Sequence, residues 1–171
     1  NLYSRSIIFE AIKNENLDPK STVVLAPDIG SVKMSQGYAK NLGMHFALID
    51  KRRFAPNKTE INHLIGELKG MDVLIIDDMI DTAGTLVNAS ESAFDKGAKS
   101  VTAIATHGVL SEPAISRLDK SRIKKIIITD TIVLNKEKLI DKLEVISVSG
   151  IFGQAVDRVH NGESVSALFE F

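Results

Sequence analysis

Cysteine is absent from the 171 residues, which excludes a disulfide framework and a thiolate metal site and fits a reducing cytosol. An excess of one charge is missing too. The formal net charge is −1, so bulk electrostatics draw the chain to neither nucleic acid nor a membrane surface. No apolar run approaches the ~20 residues of a membrane span, and no secretory signal peptide is visible. The expected compartment is therefore cytoplasmic. With no internal repeat, low-complexity segment or linker, one domain over residues 1–171 is expected. The chain starts at Asn1 without an initiator Met, inside a predicted helix, and reads as a piece of something longer. What remains, 44% hydrophobic and 25% charged residues, is the ordinary composition of a globular domain able to bury a core.

The informative stretch is Asp72 to Leu86, D-V-L-I-I-D-D-M-I-D-T-A-G-T-L. Val73 to Ile76 is a β-branched run bounded by charge, the pattern of a strand buried on both faces. Asp77 and Asp78 follow, then Asp81 and the turn Thr82-Ala83-Gly84-Thr85. The next helix has the apolar face Ala83, Leu86, Val87, Ala93 and Phe94. This order puts the turn at the carboxyl end of a parallel strand, where open α/β sheets bind ligands. Turn amides and a helix N-terminus suit an anion such as phosphate, and Gly84 lets backbone approach it closely. The carboxylates suit sugar hydroxyls or a hard cation such as Mg²⁺. The same acids and hydroxyls also fit an ordinary helix cap; the complete order favours a site.

Around this centre, strands and helices alternate. A helix is expected over Leu2 to Ile12, strands over Thr22 to Ala26 and His45 to Ile49, and between them a helix from Val32 to Leu42 closed by Gly43. Phe54 to Thr59 reads as an exposed mobile loop. Glu60 to Leu68 reads as an edge strand with Ile61, His63 and Ile65 on one side. Further strands are expected at Val101 to Thr106, Ile123 to Thr129 and Glu144 to Val148, with helices at Pro113 to Leu118 and Ile151 to His160. The economical architecture is a parallel sheet with helices on both faces.

Lys51, Arg52 and Arg53 lie between a strand end and that loop. Taken alone they read as a solvated basic loop, yet three cations there could also stabilise charge on a transferring phosphoryl group. His107, at a strand end, reads as structural rather than as a ligand contact. His45 and His63 are assigned no role. Ser164, Ser166 and Phe169 read as part of a last half-buried strand.

The central stretch resembles the 5-phosphoribosyl 1-diphosphate signature of the phosphoribosyltransferase superfamily. A-L-I-D-K-R-R, ahead of it, resembles the catalytic flexible loop of ribose-phosphate diphosphokinases. A-P-D-I-G-S-V at Ala26 to Val32, A-T-H-G at Ala105 to Gly108, T-D-T-I at Thr129 to Ile132 and E-S-V-S-A-L-F at Glu163 to Phe169 are similar to the same family. The resemblance implies a type I phosphoribosyltransferase-like α/β fold and the carboxyl-terminal half of such an enzyme, its amino-terminal ATP-binding half lying outside this sequence.

By that resemblance Lys51 and Arg53 are catalytic, and Asp77, Asp78, Asp81, Thr82, Ala83, Gly84 and Thr85 bind ribose 5-phosphate. Asp28 helps hold a second Mg²⁺, and Ser164, Ser166 and Phe169 belong to a regulatory site. The partners implied are ribose 5-phosphate, ATP and further copies of the chain, as hexamer or dimer. Two departures stand out: Ser31 where the family usually has Gly, and Met34 where an Arg is common, which removes a charge-assisted contact near a triphosphate. The implied reaction is pyrophosphoryl transfer from MgATP to the C1 hydroxyl of ribose 5-phosphate. The alternatives are a nucleobase phosphoribosyltransferase, for which no base-recognising hood is visible, and a non-catalytic regulatory subunit. The isolated piece is open to being inactive under any of them.

Overall fold

The computed structural model describes residues 2–52 and 61–169, with side chains for 2–49 and 64–168. Among the described residues the apolar runs become seven strands: β1 (Thr22–Ala26), β2 (His45–Arg52), β3 (Ile61–Ile65), β4 (Asp72–Ile80), β5 (Ser100–Gly108), β6 (Lys125–Thr129) and β7 (Leu143–Ile146). They form one sheet in the order β3-β2-β1-β4-β5-β6-β7. Neighbours pair parallel except β2 and β3, which are antiparallel. Among the described residues five α-helices accompany them: α1 (Arg5–Asn14), α2 (Val32–Leu42), α3 (Gly84–Asp95), α4 (Ala114–Lys120) and α5 (Ser149–His160).

Strand alternation explains the two-faced burial. Val23, Leu25, Val73, Ile75, Val101 and Ala103 point to one face, against Leu86, Ala89 and Ala93 of α3 and Ala114 and Leu118 of α4. Val24, Leu74, Ile76, Ile104 and Ile127 point to the other, against Ile8, Ala11 and Ile12 of α1 and Tyr38 and Ala39 of α2. Full burial of each aliphatic side chain contributes roughly 1.5–3 kcal/mol, so this double layer is the main source of the fold's stability. The helix α2 stops where its sequence signals: Gly43 takes φ 65° and its N–H returns to the last-turn carbonyls, a geometry glycine adopts without steric cost.

Connectivity creates a switch point. From β1 the chain crosses through α2 to β2 on one side, whereas from β4 it crosses through α3 to β5 on the other. β1 and β4 are hydrogen-bonded neighbours with Leu25 opposite Ile75. Their carboxyl ends therefore open into the crevice where doubly wound sheets bind ligands.

Several boundaries differ from expectation. Strand β2 continues past Ile49 to Arg52, because β3 folds back and pairs Lys51 with Asn62 and Arg52 with Ile61. In β3 the phase is reversed: Leu64 packs on the core while Ile65 is 60% exposed. Gly66 follows with φ +112°, and an added Cβ would lie 2.8 Å from that of Ala47, so the turn needs its glycine. Strand β4 runs through both acids to Ile80 because β5 pairs alongside it as far as Ile80 opposite Gly108. The segment Val165–Phe169 is a 3-10 helix and not a strand; it packs beside α5. Arg53 and the loop Phe54 to Thr59 lie outside the described residues.

Candidate functional site

The carboxyl ends of β1 and β4 bring the acids together. A cavity of about 280 Å³ is lined by Asp28, Asp77, Asp78 and the run from Met79 to Leu86. Asp77 is half-buried, and its Oδ1 accepts the Asp78 N–H at 2.9 Å. Burial, first, and the negative charges of Asp78 and Asp28 push the Asp77 carboxyl up to about 6, against the pull of that N–H. No ion pair among the described residues reaches Asp77, Asp78 or Asp81. A group of carboxylates with no cationic side chain paired to it among the described residues suits something positive, or hydroxyl donors.

Asp28 is fixed by its own turn. Its Oδ1 accepts the Ser31 N–H at 3.0 Å, and its carbonyl accepts the Ser31 hydroxyl at 3.0 Å. The first bond needs only a backbone amide; the second exists because residue 31 is Ser. Met34, one turn further, packs on the core between sheet and α2. Position 34 thus carries apolar packing and no charge.

On the other side of the cavity the chain turns sharply. Ala83 sits at the N-cap of α3 with φ 60° and ψ 7°, in the left-handed region, with no side chain capping the helix. A non-glycine residue there costs of order 1 kcal/mol or more. The strain places backbone amides of an uncapped helix start around the cavity that Thr82, Gly84 and Thr85 also line, an arrangement that attracts anions. The side chains of Asp81, Thr82 and Thr85 are exposed, and Gly84 keeps the wall low.

One residue at this turn has no signal in the sequence. Arg117 of α4 donates from Nη1 to the Thr82 carbonyl at 3.0 Å. It lies 35 positions away, and only the packing of α3 on α4 brings it there.

The remaining candidates are placed less tightly. His107 ends near Thr131, Nδ1 to Oγ1 at 2.8 Å, and lines a separate, more apolar cavity of about 460 Å³ whose wall includes Asp78. Lys51 has its backbone in β2, but its side chain lies outside the described residues, as do Arg53 and the Phe169 side chain. Ser164 and Ser166 are exposed. The Ser164 carbonyl accepts from Arg158 Nη1 at 3.2 Å and its hydroxyl accepts the Ser166 N–H at 3.2 Å. Among the described residues no three His, Cys, Asp or Glu side chains converge closely enough to cage a metal. Mg²⁺ does not require such a cage: it is commonly held by one or two carboxylates with water and substrate oxygens, and the Asp77/Asp78 pair fits that mode.

Known proteins similar to this chain point to one family. The phosphoribosyl synthetase-associated domain family matches residues 52–170. A ribose-phosphate pyrophosphokinase of Fusobacterium nucleatum is 47% identical over 157 residues, covering 92% of this chain and 50% of that protein. The crystal structure of phosphoribosylpyrophosphate synthetase from Mycobacterium smegmatis superposes with a TM-score of 0.85 at 32% identity, covering 93% of this chain and 51% of that one. APRTase from Giardia lamblia, complexed with 9-deazaadenine, superposes at 0.55 with 16% identity over 72% of this chain and 76% of that one, a likeness of fold alone. The chain spans about half the length of the curated relatives it matches. With the family's domain matched across most of its length, the chain belongs to the ribose-phosphate pyrophosphokinase family.

Proposed function

We propose that this chain is one phosphoribosyltransferase-like domain that binds ribose 5-phosphate for pyrophosphoryl transfer from ATP. The observation that carries the proposal is the single cavity shared by Asp28, Asp77, Asp78 and the turn from Asp81 to Thr85. The turn amides and the hydroxyls of Thr82 and Thr85 receive the 5-phosphate. Asp77 and Asp78 accept the ribose 2- and 3-hydroxyls, directly or through Mg²⁺, and Asp28 helps to hold a second Mg²⁺. When bound, the metal supplies charge neutralisation on the transferred phosphates.

The sugar's C1 hydroxyl oxygen attacks the β-phosphorus of ATP, the bond from that phosphorus to the α–β bridging oxygen breaks, AMP leaves, and the hydroxyl proton passes to solvent. Lys51 and Arg53 close over the transferring group. Their loss lowers turnover while leaving ribose 5-phosphate binding nearly intact. Ser164, Ser166 and Phe169 serve regulation, and the working form is a cytoplasmic homo-oligomer. No helix among the described residues is long and apolar enough to cross a membrane. A non-catalytic, regulatory reading draws support from Met34, whose packing on the core leaves no cation at that position.

Calorimetric titration of ribose 5-phosphate with Mg²⁺, and of ATP in parallel, tests the assignment. Ribose 5-phosphate binding with weak ATP binding is expected of a sugar-phosphate half-site. Binding of neither ligand removes the assignment.

A further inference from the structure

We propose that Arg117 is a positioning residue for phosphate: it locks the Thr82–Ala83 peptide so that the Ala83 N–H faces the anion. This rests on the sugar-phosphate reading of the turn. Arg117 donates from Nη1 to the Thr82 carbonyl at 3.0 Å, yet does not line the cavity that Thr82 and Ala83 line. The carbonyl oxygen is therefore drawn behind the turn. In a trans peptide, C=O and N–H point in opposite directions, so the Ala83 N–H is turned toward the cavity side.

The lock has something to hold. Ala83 occupies the left-handed region, with φ 60°, a conformation an alanine leaves readily unless its surroundings over-determine it. Rotation of the Thr82–Ala83 peptide would relax that strain and present a carbonyl dipole to the phosphate. Gly84 fits the same device, since a Cβ added there would lie 3.4 Å from Arg117 Nη1. Among the described residues no carboxylate pairs with Arg117, so none of them compensates its charge behind the turn. An Asp or Glu partner would cancel that charge; here it adds to the pull on a dianion.

The experiment titrates ribose 5-phosphate, inorganic phosphate and Mg²⁺ separately into this chain and into Arg117→Gln and Arg117→Lys. Loss of one charge-assisted bond and of the lock should weaken Arg117→Gln for both phosphates by about tenfold. Mg²⁺ affinity, which reads the acid cluster, should stay within about twofold, and Arg117→Lys should recover part of the loss. The dependence of phosphate affinity on ionic strength should flatten as well. Unchanged phosphate affinity in Arg117→Gln overturns the inference, and so does an equal loss for Mg²⁺ and phosphate, which marks a merely structural role. If the unaltered chain binds inorganic phosphate but not ribose 5-phosphate, the sugar assignment falls while Arg117 is still judged on phosphate. If it binds neither, both readings fall.

Discussion

Strand β4 carries Asp72 at its amino end and the Asp77–Asp78 pair towards its carboxyl end, and Asp72 and Asp77 have opposite fates. At the amino end Asp72 is partly buried, which alone would raise its pKa, but the Ser100 hydroxyl at 2.6 Å and the Lys99 ammonium at 3.0 Å outweigh burial and hold it below the usual range. At the carboxyl end Asp77 is raised to about 6 by burial and by its acidic neighbours. Both sit on one strand, a few residues apart. The fold satisfies charge where it only needs stability and leaves it unsatisfied where the switch point opens. Being at the carboxyl edge is not sufficient: Asp130, just past β6, takes the Ser147 hydroxyl and the Val148 N–H, which lower its pKa. Asp130 fastens α5; Asp77 and Asp78 are left available.

The largest expected effect breaks this contrast outright. Asp77→Asn together with Asp78→Asn should weaken ribose 5-phosphate binding by about 100-fold, since two hydrogen bonds to charged groups are lost, as read by calorimetry with Mg²⁺ present. The corresponding change at the other end, Asp72→Asn, should leave that affinity unaltered. Equal affinities in the double variant and the unaltered chain would remove the acids from the site.

Much of this contrast was legible in the sequence. The apolar run followed by D-D and T-A-G-T located the strand, the acids and the helix start, because burial on both faces and an open turn leave composition signatures within a few residues. The left-handed Gly43 and the exact span of α2 were legible for the same local reason. Long-range pairing was not. Nothing near Ile49 says that β2 runs on to Arg52, since that depends on β3 returning beside it. The alternation in β3 pointed to Ile65, but Leu64 is the residue that reaches the core. The final 3-10 segment, Val165–Phe169, has the apolar content of a short strand but packs beside α5 instead of joining the sheet. Arg117 could not be found because its partner is a backbone carbonyl, which every residue has. Of the basic loop, only the backbone of Lys51 and Arg52 falls among the described residues.

Stability sharpens the contrast next. An aspartate raised in the folded state binds a proton more tightly there than in the unfolded chain, so folding loses stability as pH rises from the unfolded value near 4 to about 6, and the penalty is complete above that. Asp77→Asn should therefore stabilise the protein at pH 8 by about 1 kcal/mol after allowance for solvent screening, and have little effect at pH 4. Denaturant titration at the two pH values checks the sign. Mg²⁺ should act in the same window: at ten times its Kd it should add about 1.4 kcal/mol at pH 8 and lose part of that at pH 5, where Asp77 is mostly protonated and attracts it less. In Asp77→Asn the pH dependence of the Mg²⁺ effect should shrink.

The smallest effect belongs to the satisfied end. Asp72 has a lowered folded pKa, so its contribution is present above the unfolded value near 4 and is lost as pH falls through the folded one. Lys99 is 67% exposed, however, and an exposed pair of this kind is worth only about 0.2–1 kcal/mol. Lys99→Ala should lower stability by an amount in that range at low salt, with no change in ribose 5-phosphate or Mg²⁺ binding. In molar salt, with a Debye length of about 3 Å, the difference should nearly vanish. The Ser100 hydroxyl remains on Asp72 Oδ1 in that variant, so part of the depression of the Asp72 pKa should survive and the acid limb of the stability profile should move only slightly. A shift of that limb as large as the one set by Asp77 near pH 6 would mean that the two ends of β4 are electrostatically alike.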